Sequence, residues 1–374
     1  MTTPRTIVVG LGAIGASVLH ALARGGATSV VGVDRYAPPH AHGSSHGGTR
    51  VIRTGYFESP RYLPLLARSW ELWNELARDA QRPELLVRTG VLHVGSPEHP
   101  AMRSLRASLA ALPHELLDEA GVRARGIEPA PGEIGVFEEQ GGFLRPEACI
   151  HELLRTATAA GARIHHDATV VDIDAAGAAI RLHLDSGDVL DADTIVLAAG
   201  PWNAAQPALR RFFVEVPLVV TRQAQLYFAH PPEPSRTPVF IHFTPAGAFY
   251  GVPPAEPNGP MKVCSHEHGQ PTDPDRIARD VTAADTAPVE AYVRAHHPAL
   301  GVLANASICM YTSTPDEHFV VGRSPIDPRV ILASACSGHG FKMAIGLGEA
   351  IAELVRDNRS RVDLGLFEPT RFAR

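Results

Sequence analysis

Cysteine is scarce in this chain. Cys149, Cys264, Cys309 and Cys336 are widely spaced among 374 residues, which excludes a disulfide framework and a cysteine zinc site. Long apolar runs are also missing. None approaches the ~18 residues of a membrane span, so no membrane partner is expected. Neither sign of charge dominates: a formal charge of −6 and a pI near 6.3 offer nothing to nucleic acid. Internal repeats and low-complexity segments are absent. A strand-like run starts at Thr6 and leaves no room for a signal peptide, which predicts a cytoplasmic protein.

What is present is an ordinary globular composition, 45% hydrophobic and 20% charged, long enough for two domains. His40, His42 and His46 share one short loop. No carboxylate or second ligand pair sits beside them at helical or hairpin spacing, so a polar loop near a cofactor is favoured over a metal site.

Thr6-Ile7-Val8-Val9 reads as a buried parallel strand, followed by Gly10-Leu11-Gly12-Ala13-Ile14-Gly15. A helix follows, with Ile14, Val18 and Leu22 at i, i+4 and i+8, and Gly25-Gly26 stops it. Ser29 to Asp34 is a second strand, and Asp34 falls 19 positions after Gly15. Gly10 permits the tight turn, Gly12 lets backbone approach a pyrophosphate, and Gly15 lets helix and strand pack closely. Asp34 can accept from a ribose 2′-hydroxyl. A GxGxxG alone is weak, but this one has every neighbouring element in place. The expectation is an ADP-containing dinucleotide.

Two later segments read as strands of the same sheet, at 193–200 and 330–335, the second followed by a glycine loop and a helix through Ile345, Leu347, Ala350, Ile351 and Leu354. Alternating runs at Val170–Ile173 and Ile180–Leu184 precede the first, with a turn at 185–188. Residues from about 215 to 315 instead mix β-type runs, such as Val216 to Val220 and Ala248 to Val252, with Pro-rich turns. The fold class predicted is α/β (α+β overall). A discontinuous Rossmann-like FAD-binding domain (1–84, 145–214, 316–374) carries a mostly antiparallel β-sheet substrate domain (85–144, 215–315).

Four further segments carry a resemblance. They are His42-Gly43-Ser44-Ser45-His46-Gly47-Gly48-Thr49-Arg50-Val51-Ile52-Arg53, Lys262-Val263-Cys264-Ser265-His266, the run from Cys309 to Phe319 (CMYTSTPDEHF), and Ser337-Gly338-His339-Gly340-Phe341-Lys342. With the glycine turn, they resemble the monomeric sarcosine oxidase and N-methyltryptophan oxidase family, flavoenzymes that oxidise secondary amino acids. The resemblance implies that Gly10, Gly12, Ile14, Gly15, Asp34, Arg35, Ser44, Thr49, Arg50, Val171, Gly200, Cys309, Gly338, Gly340 and Lys342 hold FAD. It implies that Arg53 and Lys342 clamp the substrate carboxylate, and charge type agrees.

Cys309 resembles the cysteine that carries FAD through a thioether. From composition alone it reads as a buried inert thiol, and Cys336 is its competitor. Lys262 resembles a lysine that promotes reaction with O2, and Arg50 would assist it; a surface lysine on a hairpin is the plainer reading. Tyr250, His266, Tyr311 and His339 are expected around the substrate, where they could orient the amine or affect its protonation. For Tyr250, packing within a strand is an equal alternative, and His268 would share a strand face with His266.

The chain also departs from the family. Ser45 and Gly48 replace a histidine and an aspartate, Thr54 to Ser59 replaces a His-Ala-Tyr-Gly-Glu-Gly run, and a Pro-rich loop at 253–260 stands where glycines are expected. The implied enzyme is a monomeric FAD-dependent oxidase of a secondary (N-methyl or cyclic) amino acid, with O2 as acceptor and H2O2 as product. The alternatives are a flavin dehydrogenase using another acceptor, an NAD-dependent dehydrogenase, and a flavin-binding protein without turnover.

Overall fold

The apolar runs form a parallel sheet buried on both faces. Its strands lie in the order Val320–Arg323, Val330–Ser334, Thr194–Leu197, Thr6–Val9, Val30–Val33 and Arg163–His165. All neighbours pair in parallel except the first two. In the computed structural model, residues 5–230, 237–267, 269–334 and 337–373 are described; His268, Ala335 and Cys336 lie outside them.

Strands from the start, middle and end of the chain meet in this one sheet, because only crossover connections can join parallel strands. Helices Ala13–Arg24, Pro146–Ala159 and Ala344–Asp357 cover one face, where Val18, Leu22, Leu153, Leu347 and Ile351 form one core. The other face packs on the antiparallel meander Val170–Asp174, Ile180–Leu184 and Val189–Ala192 and on Phe212 and Phe213.

The second large sheet has the order Leu303–Ser313, Val219–Phe228, Met261–Ser265, Gly247–Val252, Val239–Thr244, Val91–Gly95, Ile134–Glu138 and Glu115–Leu117. It is antiparallel but for the Val239–Thr244 and Val91–Gly95 pair. The strand expected from Val216 begins only at Val219. Val216 instead closes a turn on the Phe213 carbonyl and buries its side chain in the first sheet's core, and Pro217 has no N–H to offer a ladder. A small sheet of Arg50–Ile52, Gly142–Leu144 and Leu86–Arg88 braces the arginine segment. No described helix is long and apolar enough to cross a membrane.

Candidate active site

One cavity is lined by the glycine turn, by the Gly338–Lys342 loop and by both large sheets. At the glycine turn, Gly10 has φ +88°, and a Cβ there would lie 2.5 Å from the Ala199 Cα. A Cβ on Gly15 would overlap the Gly10 carbonyl. Helix Ala13–Arg24 has no acidic residue in its first turn and no side-chain cap on its Gly12 N-cap, so its N-terminus suits an anion. The buried Asp34 carboxylate accepts from Leu11 N (2.6 Å) and Tyr36 N (2.9 Å), with His40 Nε2 at 3.4 Å. It therefore also braces the glycine turn, a task its spacing did not reveal. Tyr36 stacks on His42 at 4.0 Å. Arg35 lines the cavity and pairs with Asp275 at 2.6 Å, which also accepts from Trp202 Nε1.

One expected residue lies off the cavity wall. Val171 is 52% exposed and does not line the cavity, whereas Val170 is buried and does. The side chains of a strand alternate, so a slip of one residue reverses the face. Ile14, Ser44, Thr49, Gly200, Gly338 and Gly340 all line the cavity, and Gly200 and Gly338 have φ of +55° and +77°.

Arg50 lies on the wall with one Nη2 contact to Ser44 O at 2.9 Å and another to Cys309 Sγ at 3.9 Å. Cys309 is buried just behind that wall, its Sγ 3.6 Å from Ser44 O. Lys262 is not a surface lysine. It is 2% exposed, and its Nζ donates to Gly47 O (2.5 Å) and Thr49 O (3.0 Å). Burial and the Arg50 charge depress its pKa to about 7. The turn it meets is held from behind by Glu147, which accepts from Gly47 N and Gly48 N.

Tyr250, His266 and Tyr311 line the cavity; His266 follows the end of its strand, and its ring centroid is 6.0 Å from that of Tyr311. Arg53 and Lys342, distant in sequence, meet here and are both buried. Arg53 donates to Glu58 Oε1 (2.6 Å) and Gly55 O (2.5 Å), and the rings of Tyr56 and Phe57 lie 4.4 and 4.3 Å from its Cζ. Burial pushes the Glu58 carboxyl up, but the Arg53 charge overrides this and holds it at about 2. Lys342 Nζ donates to His339 O at 2.8 Å, and burial together with Arg53 lowers its pKa to about 7.

His339 lines the cavity with both ring nitrogens engaged inside the fold. Nε2 faces the Glu317 carbonyl at 3.0 Å, and Nδ1 faces Tyr56 OH at 2.5 Å. A carbonyl only accepts, so Nε2 carries the proton and Nδ1 accepts from the tyrosine. Burial lowers the His339 pKa to about 3, so the ring is a neutral wall and not an available base. Tyr56, Phe57 and Glu58 belong to the Thr54–Ser59 stretch expected to border the site, and the structure adds what they do there, holding the Arg53 guanidinium. Their signal in the sequence was the departure of this run from the family pattern directly after Arg53.

The description of FAD dependent oxidoreductases matches residues 5–354 of this sequence. The chain belongs to that family. Among its relatives, the monomeric sarcosine oxidase of Streptomyces avermitilis is 34% identical, over 98% of this chain and 97% of that protein. The N-methyl-L-tryptophan oxidase of Escherichia coli K12 is 31% identical, over 98% of each. NikD, an unusual amino acid oxidase of nikkomycin biosynthesis, superposes with a TM-score of 0.86 at 20% identity, covering 99% of this chain and 98% of NikD. The L-proline dehydrogenase of P. horikoshii gives the same figures. These two speak to the fold.

The residues of this FAD-dependent oxidoreductase fit the cofactor its family is named for. The glycine turn lets backbone approach a pyrophosphate at the N-terminus of helix Ala13–Arg24, where Ala13 N donates to Ser45 Oγ at 3.2 Å. Thr49 Oγ1 and Thr312 Oγ1, buried hydroxyls of cavity-lining residues, have no partner among the described residues, as expected where a polar ligand supplies one. Among those residues no cluster of His, Cys, Asp and Glu could hold a metal.

Proposed function

We propose that the chain is an FAD-dependent oxidase of a secondary, N-methyl or cyclic, amino acid, converting the C–N bond to an imine and O2 to H2O2. The observation that carries this reading is the pair of buried cations, Arg53 and Lys342, converging on the cavity beside the Gly338–Gly340 loop. FAD, when bound, would supply the acceptor for the hydride equivalent lost from the carbon beside nitrogen, the two electrons then going to O2. The protein's part is to bind and orient. Arg53 uses two of its five N–H groups on Glu58 and Gly55 among the described residues, which leaves donors for a carboxylate. Lys342 adds a point charge. Tyr250, Tyr311 and His266 wall the space where the amine would sit. For an N-methyl substrate, hydrolysis of the imine yields formaldehyde and the primary amino acid.

Lys262 and Arg50 are assigned to the O2 half-reaction, where fixed positive charge favours electron transfer to oxygen. Cys309 is assigned as the thioether attachment point of the flavin, its Sγ 3.9 Å from Arg50 Nη2 on the cavity wall. The discontinuous division at 1–84, 145–214 and 316–374 against 85–144 and 215–315, and a monomeric state, belong to the same proposal.

The test is a peroxide-coupled screen of N-methyl, cyclic and D-amino acids, followed by anaerobic reduction and stopped-flow reoxidation. Turnover with rapid reoxidation by O2 is expected. Reduction by an amino acid with slow reoxidation would make the protein a dehydrogenase, and no reduction by any of them would end the amine reading.

A further inference from the structure

Glu138 is fully buried at the end of strand Ile134–Glu138 and has no part in the chemistry above. Its Oε2 accepts from Thr54 N (2.6 Å), Thr54 Oγ1 (2.5 Å) and Gly55 N (2.9 Å). Its Oε1 accepts from Nε2 of His93, itself fully buried on the neighbouring strand. Burial alone would push this carboxyl up, but the His93 and Thr54–Gly55 hydrogen bonds hold its pKa below the ordinary value, so it stays charged.

Those donors are the two residues that directly follow Arg53, and the Gly55 carbonyl is the acceptor for Arg53 Nη1. The same turn is pinned on its other side by helix Pro100–Ser108. Tyr56 N donates to Ser108 Oγ, Ser104 Oγ donates to Phe57 O, and a Cβ on Gly55 would come 2.7 Å from Leu105. Glu138 is thus the acceptor that fixes the backbone on which the guanidinium rests.

We propose that Glu138, held by His93, is the positioning residue of the amino-acid carboxylate site. It orders Thr54–Gly55 so that Arg53 presents its free N–H groups to the substrate. The proposal rests on the Arg53–Lys342 clamp proposed above. A site held only loosely loses affinity steeply, because a shift of about 1 Å in a bidentate donor is enough to spoil it.

The test uses flavin-loaded enzyme titrated with (methylthio)acetate and pyrrole-2-carboxylate, amine-free isosteres of an N-methyl and a cyclic amino acid. Binding is followed by flavin absorbance, with Tm measured alongside. Glu138→Met keeps volume and removes every acceptor, and should raise both Kd values roughly tenfold or more. Glu138→Gln keeps an acceptor for Thr54 and Gly55 and can donate to His93 once that ring changes tautomer, so it should recover most of the affinity. Thr54→Val, which deletes one donor without changing shape, should weaken binding about threefold.

Glu133→Gln is the control. It alters the similar buried Glu133–His242 pair (3.0 Å), which does not line the cavity, and should lower Tm without moving Kd. Should Glu138→Met not fold, Thr54→Val and Glu138→Gln decide. Unchanged Kd in Thr54→Val and Glu138→Met, or tighter binding in Glu138→Gln as simple removal of a negative charge would give, overturns the proposal. A wild-type enzyme that binds neither probe would instead overturn the clamp itself.

Discussion

The clamp should reveal itself through protons. Lys342 is buried beside Arg53 with a pKa near 7, so close to neutral pH the empty site is divided between charged and neutral forms. A carboxylate placed against the ammonium favours the charged form, so binding above pH 7 must take up a proton. The sign follows. Affinity for an amine-free carboxylate is level below about pH 7, where Lys342 is already charged, and falls above it by up to tenfold per pH unit. Between pH 6 and pH 9 the Kd should rise on the order of 100-fold, about 2.7 kcal/mol. An isothermal titration series with (methylthio)acetate in buffers of different ionisation enthalpy measures both Kd and proton uptake. Lys342→Met should abolish the slope and the uptake together. Lys262, also near 7, donates to the Gly47 and Thr49 carbonyls and does not line the cavity, so Lys262→Met should leave the slope intact. A flat profile in the wild type, or a slope that survives in Lys342→Met, refutes the assignment.

Glu58 raises the Lys342 pKa, so Glu58→Gln should move the break in that profile below pH 7, read from the same titrations. Acid-precipitated wild-type protein should stay yellow and Cys309→Ser should release its flavin; a pellet still yellow in the mutant means another attachment residue. Tyr56→Phe leaves His339 Nδ1 without its buried donor and should cost roughly 1–3 kcal/mol of stability, seen as a drop in denaturation midpoint. Gly10→Ala combines φ +88° with a Cβ pressed on Ala199, so the purified protein should contain little FAD by absorbance.

The dinucleotide half was legible because its parts are local. Strand, turn, helix and acid lie within thirty residues, and each physical task needs one residue type at a fixed interval. The late strands were legible as fully apolar runs, which parallel burial demands. Val171 lies off the cavity wall for a reason that is equally physical. A strand's two faces differ by one residue, and the register shifts between Val170 and Asp172, so sequence spacing could not say which valine faces in. His339 shows a second limit. Its two glycine neighbours marked the loop correctly, but its partners, Tyr56 and the Glu317 carbonyl, come from segments far away in sequence, and only the fold shows that its nitrogens are spent. Glu138, Glu147 and His93 gave no signal at all, since a buried carboxylate that braces a turn has no motif.

One short stretch nevertheless serves both halves of the proposed chemistry, and its geometry explains how. Arg50–Ile52 is a three-residue strand, and Arg53 follows directly on it. Arg50 contacts Ser44 and Cys309, while Arg53, one residue past the strand, reaches Glu58 beside the Lys342 loop, so the two cations sit at different points of one cavity wall. Each arginine is fixed by a carboxylate that sees the backbone. Glu147 accepts from Gly47 and Gly48 ahead of Arg50, and Glu138 accepts from Thr54 and Gly55 after Arg53. Both cations are buried or nearly so, where an unbraced guanidinium would relax toward water or the nearest acid. Neither bracing carboxylate comes from the stretch itself. Glu138 ends a strand of the antiparallel sheet and Glu147 opens helix Pro146–Ala159 against the parallel one. The segment is thus clamped from both layers, and a change in how the two sheets sit would move the charge beside Cys309 and the charge beside Lys342 together.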